Sequence, residues 1–487
     1  MTPVNASPVL AAQAIPEESR LLIARLDRLQ RWSLAPSFLV IIGLGFLFTF
    51  YDIFDINVSF VQTCTQLVPG CTPPTALGRL PLPTVLNLAG YVAGTLVLSP
   101  VSDRVGRRKM LLVTMLITGL GSLYTALSPD YVNFTISRVI TGVGIGADLA
   151  IVNTYISEVS PRRARARFIT VIFINSALGA LAGIWLGLLL TTSKAPWPAG
   201  LPFALASGSF TSGWRWMYGV GAILAVVAIM LRCDLCESPR WLVHRGRDAD
   251  AERVVARMEA RARLRGPLAE PLTGHVPTHW AAPRRVPFTD LLTDRVYRRR
   301  CALLLALWLA GYVTVYAYSA GFTSVLAALK YTPPEAGVIA AVGTLGFVGE
   351  AVLMSFIVEK LQRRYWLPIA AVVTLAGAAL VAAAGDHIGL AFAGAILIFV
   401  GFNLWVSPTY ALTAESFPTR ARSSGFALVD GVGHIGGGIG VLVLAPLIPH
   451  LSVLAALLAI SGFLVVAAVL AQFTPHTRDR VLEQVSP

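Results

Sequence analysis

Charge is scarce in this chain. Only 13% of its 487 residues are Asp, Glu, Lys or Arg, while 55% are hydrophobic; the charged share is roughly half that of an average soluble protein. That scarcity excludes the row of soluble domains that the length alone would suggest. The raw material for metal, nucleotide or covalent chemistry is equally thin. Five cysteines include one C-x-x-C pair, Cys233 and Cys236, and without a second ligand pair they read as two thiols. The run "GVGIG" (Gly142–Gly146) lies inside an apolar stretch and follows no strand, so it is no phosphate loop. With no nucleophile elbow either, neither enzyme activity, cofactor nor metal is expected. The segment before Pro36 carries mixed charge and no apolar core, so a cleavable signal is not expected.

What is present is length in apolar runs. Twelve stretches of about 20 residues recur, near 34–60, 82–101, 110–128, 131–157, 167–191, 214–232, 301–325, 335–358, 366–385, 388–413, 422–445 and 451–472. Each can cross a hydrocarbon core of about 30 Å as a helix. The expected fold class is therefore an all-α membrane protein with twelve transmembrane helices. The net charge of +13 has a topological explanation. With an inside N-terminus, only Arg79, Lys194, Arg215, Lys330 and Arg138 of the 39 Lys and Arg fall outside the inner loops and tails. The positive-inside rule then puts both termini in the cytoplasm and makes nucleic acid an improbable partner. The N-terminal stretch "SRLLIARLDRLQRW" sets Leu22, Leu26, Leu29 and Trp32 near one helical face, which suits the inner membrane surface. Cys64 and Cys71 share the first outer loop, where a disulfide is permitted but not fixed by spacing.

A repeat organises the runs. "SPVSDRVGRRKM" (Ser99–Met110) follows the second and "SFIVEKLQRRYW" (Ser355–Trp366) the eighth. Asp103/Glu359, Arg104/Lys360, Arg107/Arg363 and Arg108/Arg364 are each 256 positions apart. "EVSPRRAR" and "ESFPTRAR", beginning at Glu158 and Glu415, are offset by 257. Two motifs at nearly one offset imply two parallel six-helix halves. The expected organisation is an N-terminal segment 1–33, a first bundle 34–232, a linker 233–300, a second bundle 301–472 and a tail 473–487. A surface helix is expected over Asp250–Leu264 in the linker.

The parallel halves and these loops resemble the major facilitator superfamily of secondary transporters. "SPVSDRVGRRK" is similar to its G-x-x-x-D-R/K-x-G-x-R/K-R/K motif, with Ser99 in place of the leading glycine. "RVITGVGIGADLAIVNTYISEVSP", "CESPRWLVHRGR" and "FTPHTRDRVLE" resemble the sugar-porter and metabolite:proton symporter branch. "FYDIFDINVSF" and "YALTAESFPTRARSSG" look closest to bacterial organic-acid, niacin and synaptic-vesicle-protein-like members. The resemblance implies alternating access, with a small-molecule substrate and protons as partners. It implies a cell-membrane location and, as a working expectation, a monomer. An organic acid is favoured and a sugar remains open. The sugar-porter hallmarks are mostly missing, since helix 7 has no Gln-Gln pair and no Gln stands near Asn175. Proton-coupled efflux and a non-transporting receptor or scaffold are the alternatives. The helix-5 run "SALGALAGIWLG" lacks the Gly-Pro element of drug antiporters.

Ionisable residues within the runs carry the mechanistic reading, because intramembrane charge is costly. Asp52 and Asp55 share one face of helix 1, and Arg138 lies at a similar depth in helix 4, so an ion pair with proton coupling is expected. In the resemblance, Asp55 and Arg138 match the helix-1 aspartate and helix-4 arginine of proton-coupled sugar porters. A static structural pair is the alternative. Cavity candidates are Asp148, Asn175, Tyr312, Tyr316, Asn403 and Trp405, with Tyr318 beside them and packing the alternative for each. Asp430 and His434, spaced i,i+4, are further candidates that could hydrogen-bond each other or form a second proton relay, and Glu350 either joins them or extends the cytoplasmic charge cluster. The charge clusters read as a cytoplasmic gate. Its candidates are Asp103, Arg104, Arg108, Glu158, Arg165, Glu359, Lys360, Arg363, Glu415 and Arg422, with topology anchoring sufficient for Arg162 and Arg163.

Overall fold

The computed structural model describes residues 13–14, 16–29, 31–160, 165–274, 279–280, 291–329, 331–418, 422–478 and 485–486. Twelve helices among them are long and apolar enough to cross a bilayer. In chain order, spans 1 to 6 are Pro36–Leu67, Pro73–Val105, Arg107–Leu127, Tyr131–Val159, Arg167–Thr191 and Gly213–Arg232. Spans 7 to 12 are Arg295–Ser319, Pro333–Ile357, Arg363–Ala383, Ile388–Glu415, Ser424–His450 and Val453–Ala471.

Several span edges depart from expectation, with span 2 beginning at Pro73 rather than 82 and span 11 ending at His450 rather than 445. Span 1 continues past residue 60 to Leu67, and the disulfide Cys64–Cys71 closes the turn that follows. Span 7 stops at Ser319 instead of running on to 325, and a short helix, Phe322–Leu329, follows the break. A helix end leaves carbonyls without intrahelical donors. Here Asn57 of span 1 supplies donors to two of them, Tyr318 and Ser319.

The pairing of spans shows the repeat. Span 1 packs on 5 and 6, span 2 on 4, and span 3 on 4 and 6; span 7 packs on 11 and 12, span 8 on 10, and span 9 on 10 and 12. Adding six to the first set reproduces the second. The halves meet through spans 5 with 8 and 2 with 11, the same contact twice under that rule. Spans 2 and 4 approach so closely that a Cβ on Gly94 would stand 2.0 Å from the Val143 carbonyl oxygen. Without a hydrophobic force between helices in lipid, such contact is what holds them.

The amphipathic N-terminal stretch is a helix, Glu17–Asp27, and apolar residues on it are covered by protein. Its apolar residues Leu22, Ile23 and Ala24 are covered by Trp241, Leu242, Val243 and Ala251 of the linker. Those residues belong to two linker helices, Pro239–His244 and Asp248–Arg263, the latter close to the expected surface helix. The clasp is also ionic: Glu259 pairs with Arg25 at 2.9 Å and with Arg28 at 2.5 Å, and Arg25 reaches Glu252 at 2.6 Å. The linker's own apolar and acidic side chains therefore compete with lipid for this helix. Glu237 ties the linker to span 3 by accepting the Arg107 amide at 2.9 Å and the Arg108 amide at 3.2 Å. Gly106, at φ 112°, turns the chain so that these amides face the carboxylate at a helix N-terminus.

Candidate functional site

The two helix-1 carboxylates have different partners. Arg138 of span 4 reaches Asp52, with Nη1 at 3.3 Å from Oδ2 and Nη2 donating to the Asp52 carbonyl at 3.0 Å. Ser122 of span 3 donates to the other Asp52 oxygen at 2.7 Å. Asn87 of span 2 anchors the arginine's own backbone by donating to its carbonyl at 2.8 Å, and the Tyr218 ring stands 5.4 Å from the guanidinium. Charge is thus balanced within the first half. Asp55, one turn on, is fully buried, and among the described residues neither of its oxygens has a hydrogen-bond partner. Sequence spacing brings both acids to Arg138; the structure gives the arginine to Asp52 and leaves Asp55 alone.

Both ends of the interface between halves are closed. Two residues beyond Asp55, the Asn57 side chain donates to the Tyr318 and Ser319 carbonyls at 3.0 and 2.7 Å. Its oxygen accepts from the Thr323 amide and hydroxyl at 3.2 and 2.5 Å. These four bonds join span 1 to the broken end of span 7, on the face opposite the linker. Trp185 of span 5 donates to the Ala341 carbonyl of span 8 at 3.0 Å. Nearer the linker face, Thr170 meets Ser407 at 3.2 Å across spans 5 and 10. Between the closures, Phe50, Phe54 and Phe173 of the first half pack on Phe347, and Phe173 on Tyr410, with ring centroids 5.9–6.4 Å apart. A narrow cleft of about 10 Å³ remains, with Thr84, Asn87 and Arg138 on one side and Tyr316 and Ala320 on the other.

A second buried acid sits at the junction of spans 2 and 11. Asp430 lies in a wide π-type turn, Ala427–Gly431, and accepts from the Tyr312 hydroxyl at 2.5 Å and the Tyr91 hydroxyl at 3.5 Å. His434 does not bond its carboxylate; the ring nitrogen Nδ1 takes the Asp430 backbone carbonyl at 2.8 Å. The imidazole is sandwiched between Tyr91 and Tyr312, each 3.8 Å away, with Tyr316 at 5.7 Å. Trp405 packs on Trp308 at 5.0 Å and on Tyr312 at 6.2 Å, extending this aromatic wall.

The other cavity candidates separate from this group. Asp148 is held by Arg232 through two bonds of 2.5 and 2.9 Å and by the Thr114 hydroxyl at 2.8 Å, all inside the first half. Asn403 bonds its own helix at the Phe399 carbonyl, and the Tyr318 hydroxyl bonds Ser461 within the second half. Asn175 is half-buried on span 5 against Gly43 of span 1. Glu350 is buried, with Oε2 lacking a partner.

The gate candidates form two matching triads. Arg107 binds Asp103 at 2.6 Å and Glu158 at 3.0 Å; Arg363 binds Glu359 at 2.8 Å and Glu415 at 3.6 Å. The second basic residue of each motif, Arg107 or Arg363, rather than Arg104 or Arg108, is the hub. Arg104 is exposed, and Arg108 turns to the Cys233 carbonyl. The Lys360 carbonyl accepts from Arg478. Each triad lies within one half, and among the described residues no ion pair crosses between halves. Arg162 and Arg163, and the side chains of Arg165 and Arg422, lie outside the described residues.

Three participants escaped the sequence reading. Arg232 was counted as an inner-loop charge, although Asp148 needed a cation. Tyr91 and Asn57 are polar residues within apolar helices, a signal shared with many packing residues.

The sequence pattern of the "Sugar (and other) transporter" family matches residues 38–487. The niacin transporter NiaP of Acinetobacter baylyi is 25% identical over 95% of this chain and 99% of its own length. The 4-hydroxybenzoate transporter PcaK of Pseudomonas aeruginosa is 25% identical over 84% and 86% of the two chains. Among solved structures, the proton:xylose symporter XylE superposes with a TM-score of 0.71 at 19% identity, covering 92% of this chain and 98% of its own.

Proposed function

Because the chain belongs to the Sugar (and other) transporter family, it is a multi-pass membrane transporter and not an enzyme, and we propose that it works by proton symport. The substrate is a small polar metabolite, an organic acid before a sugar. The observation that carries the coupling is Asp55, a buried carboxyl that among the described residues has neither an ion pair of its own nor a hydrogen-bond partner, one turn from the Asp52–Arg138 pair. An ionised carboxylate there costs several kcal/mol, which a proton removes. Closing the halves around substrate therefore favours a carrier in which Asp55 has bound a proton. Relatives named for niacin, 4-hydroxybenzoate and proton:xylose symport support this class of activity.

In this reading the bundles 34–232 and 301–472 rock about the substrate in a cell membrane, as a monomer. The linker face is cytoplasmic, as its arginines favour. Protons and substrate enter from the opposite face once Asn57 releases span 7 and leave at the linker face. The triads around Arg107 and Arg363 brace the linker-side ends of their own halves, and Tyr312, Tyr316, Trp405, Asp430 and His434 form the second half's wall toward substrate.

The test uses proteoliposomes holding a pH dye, given niacin, 4-hydroxybenzoate or xylose, with protein-free vesicles to subtract passive acid entry. Protein-dependent lumen acidification is expected with one of them. Asp55→Asn is expected to retain substrate exchange and lose acidification. Full acidification in that variant would remove Asp55 from the mechanism.

A further inference from the structure

Asp430 is fully buried, and among the described residues it forms no ion pair. The titratable groups facing it are Tyr91 from span 2, Tyr312 and Tyr316 from span 7, Tyr410 from span 10 and His434 on its own helix. None supplies a compensating positive charge through a bond to the carboxylate. The phenols donate or stack, and His434 directs Nδ1 to the Asp430 main-chain carbonyl. The wide turn at Ala427–Gly431 is a local irregularity of the kind that aims a residue at a functional position.

The shell around this acid is divided between the moving parts. Tyr91 belongs to the first half, while Asp430, Tyr312, Tyr410 and His434 belong to the second. Separation of spans 2 and 11 removes the Tyr91 hydroxyl from Asp430 and its ring from His434, and lets water reach the carboxyl. Asp430 stands six residues, about 9 Å along the helix, from the linker-side start of span 11 at Ser424. Asp55 instead neighbours Asn57 and the closure at the opposite face. The two carboxyls, neither in an ion pair among the described residues, thus lie in different halves and at different depths. Glu350 also has an oxygen without a partner, but no described contact joins its carboxyl to the other half.

We infer that Asp430 is a second proton-carrying carboxyl, loaded while spans 2 and 11 are together and the opposite face is open, and emptied to water when spans 2 and 11 part at the linker face. This rests on the proton-symport reading and makes the cycle carry two protons per substrate. In the loading step, Asp430 carboxylate takes a proton from hydronium and leaves water. In the release step, an O–H bond of the carboxyl breaks and the proton passes to water on the linker side. No other reactant is needed.

The experiment measures labelled substrate uptake and proton uptake in the same proteoliposomes. The substrate is whichever of niacin, 4-hydroxybenzoate and xylose drives flux. A ratio of two is expected for the unaltered chain, and one for Asp430→Asn. A ratio of one in the unaltered chain that survives in Asp430→Asn, or of two that is unchanged by it, overturns the inference. In the latter case Glu350→Gln lowering the ratio would identify the other site. Should Asp430→Asn not fold, the ratio of the unaltered chain still decides, because one proton per substrate contradicts a second carrier. Transport without any proton uptake defeats the symport reading itself, an outcome distinct from a ratio of one.

Discussion

Replacing Asn57 by Ala is the most direct perturbation of the closed state. The change removes four hydrogen bonds, of 2.5 to 3.2 Å, that cross from span 1 to the end of span 7 and the short helix after it. Each such bond contributes about 0.5–1.5 kcal/mol net, so the set favours closure by about 2–6 kcal/mol. At 1.4 kcal/mol per factor of ten, the open-to-closed ratio rises by roughly 30-fold or more, until the open form predominates. Ala320, 3% exposed and beside the cleft, reports the change. With Cys233, Cys236 and Cys301 replaced by Ser, an Ala320→Cys variant is labelled with a membrane-impermeant thiol reagent, with and without Asn57→Ala. Labelling is expected to accelerate at least tenfold. An unchanged rate, with normal folding and expression, would show that Asn57 does not hold this side shut.

Other outcomes follow from the buried charges and the clasp. Arg232→Leu leaves Asp148 buried without its cation and is expected to cost about 3–5 kcal/mol, lowering the thermal midpoint in detergent; Arg232→Leu with Asp148→Leu is expected to recover much of the loss. Burial works to raise the Glu259 carboxyl, but hydrogen bonds and charge from Arg25 and Arg28 outweigh it and hold the group below the usual carboxylate range. Its stabilisation is present above the unfolded carboxyl's value and is lost as pH falls through the lowered one. Protection from hydrogen exchange over Glu17–Asp27, taken relative to an unfolded peptide at the same pH, is therefore expected to be high at neutral pH and to fall in acid, less so in Glu259→Gln, which is already loosened. Gly94→Leu, forced against the Val143 carbonyl, is expected to abolish the close packing of spans 2 and 4 and the yield of folded protein.

The architecture was legible because its signals are long. An apolar run of 20 residues has few alternatives in water or lipid, and the repeat at offsets of 256 and 257 predicts the symmetry of the pairing. Partner choice is decided at shorter range. Spacing put Asp52 and Asp55 equally on one face, and only the placement of Ser122 and Asn87 determines which of them Arg138 meets. The amphipathic stretch around Leu22 and Leu26 had an apolar face to cover, but nothing local distinguishes a lipid surface from Trp241 and Leu242. The matched acids at 103, 158, 359 and 415 announced a shared design. Their arrangement around Arg107 and Arg363, inside each half, depends on how the ends of spans 2 and 4, or 8 and 10, converge.

That arrangement bears on how temperature acts on the transport cycle. The described contacts that must part when the halves separate include no ion pair: the Asn57, Trp185–Ala341 and Thr170–Ser407 bonds, the Tyr91–Asp430 contact, and the rings of Phe50, Phe54, Phe173, Phe347 and Tyr410. Wetting such rings raises heat capacity, by an amount that scales with the apolar area exposed. The equilibrium between closed and open forms is then curved in temperature, with its enthalpy changing along the scale. Dissolved salt, which screens exposed ions, has little purchase on a dry seam of phenyl rings.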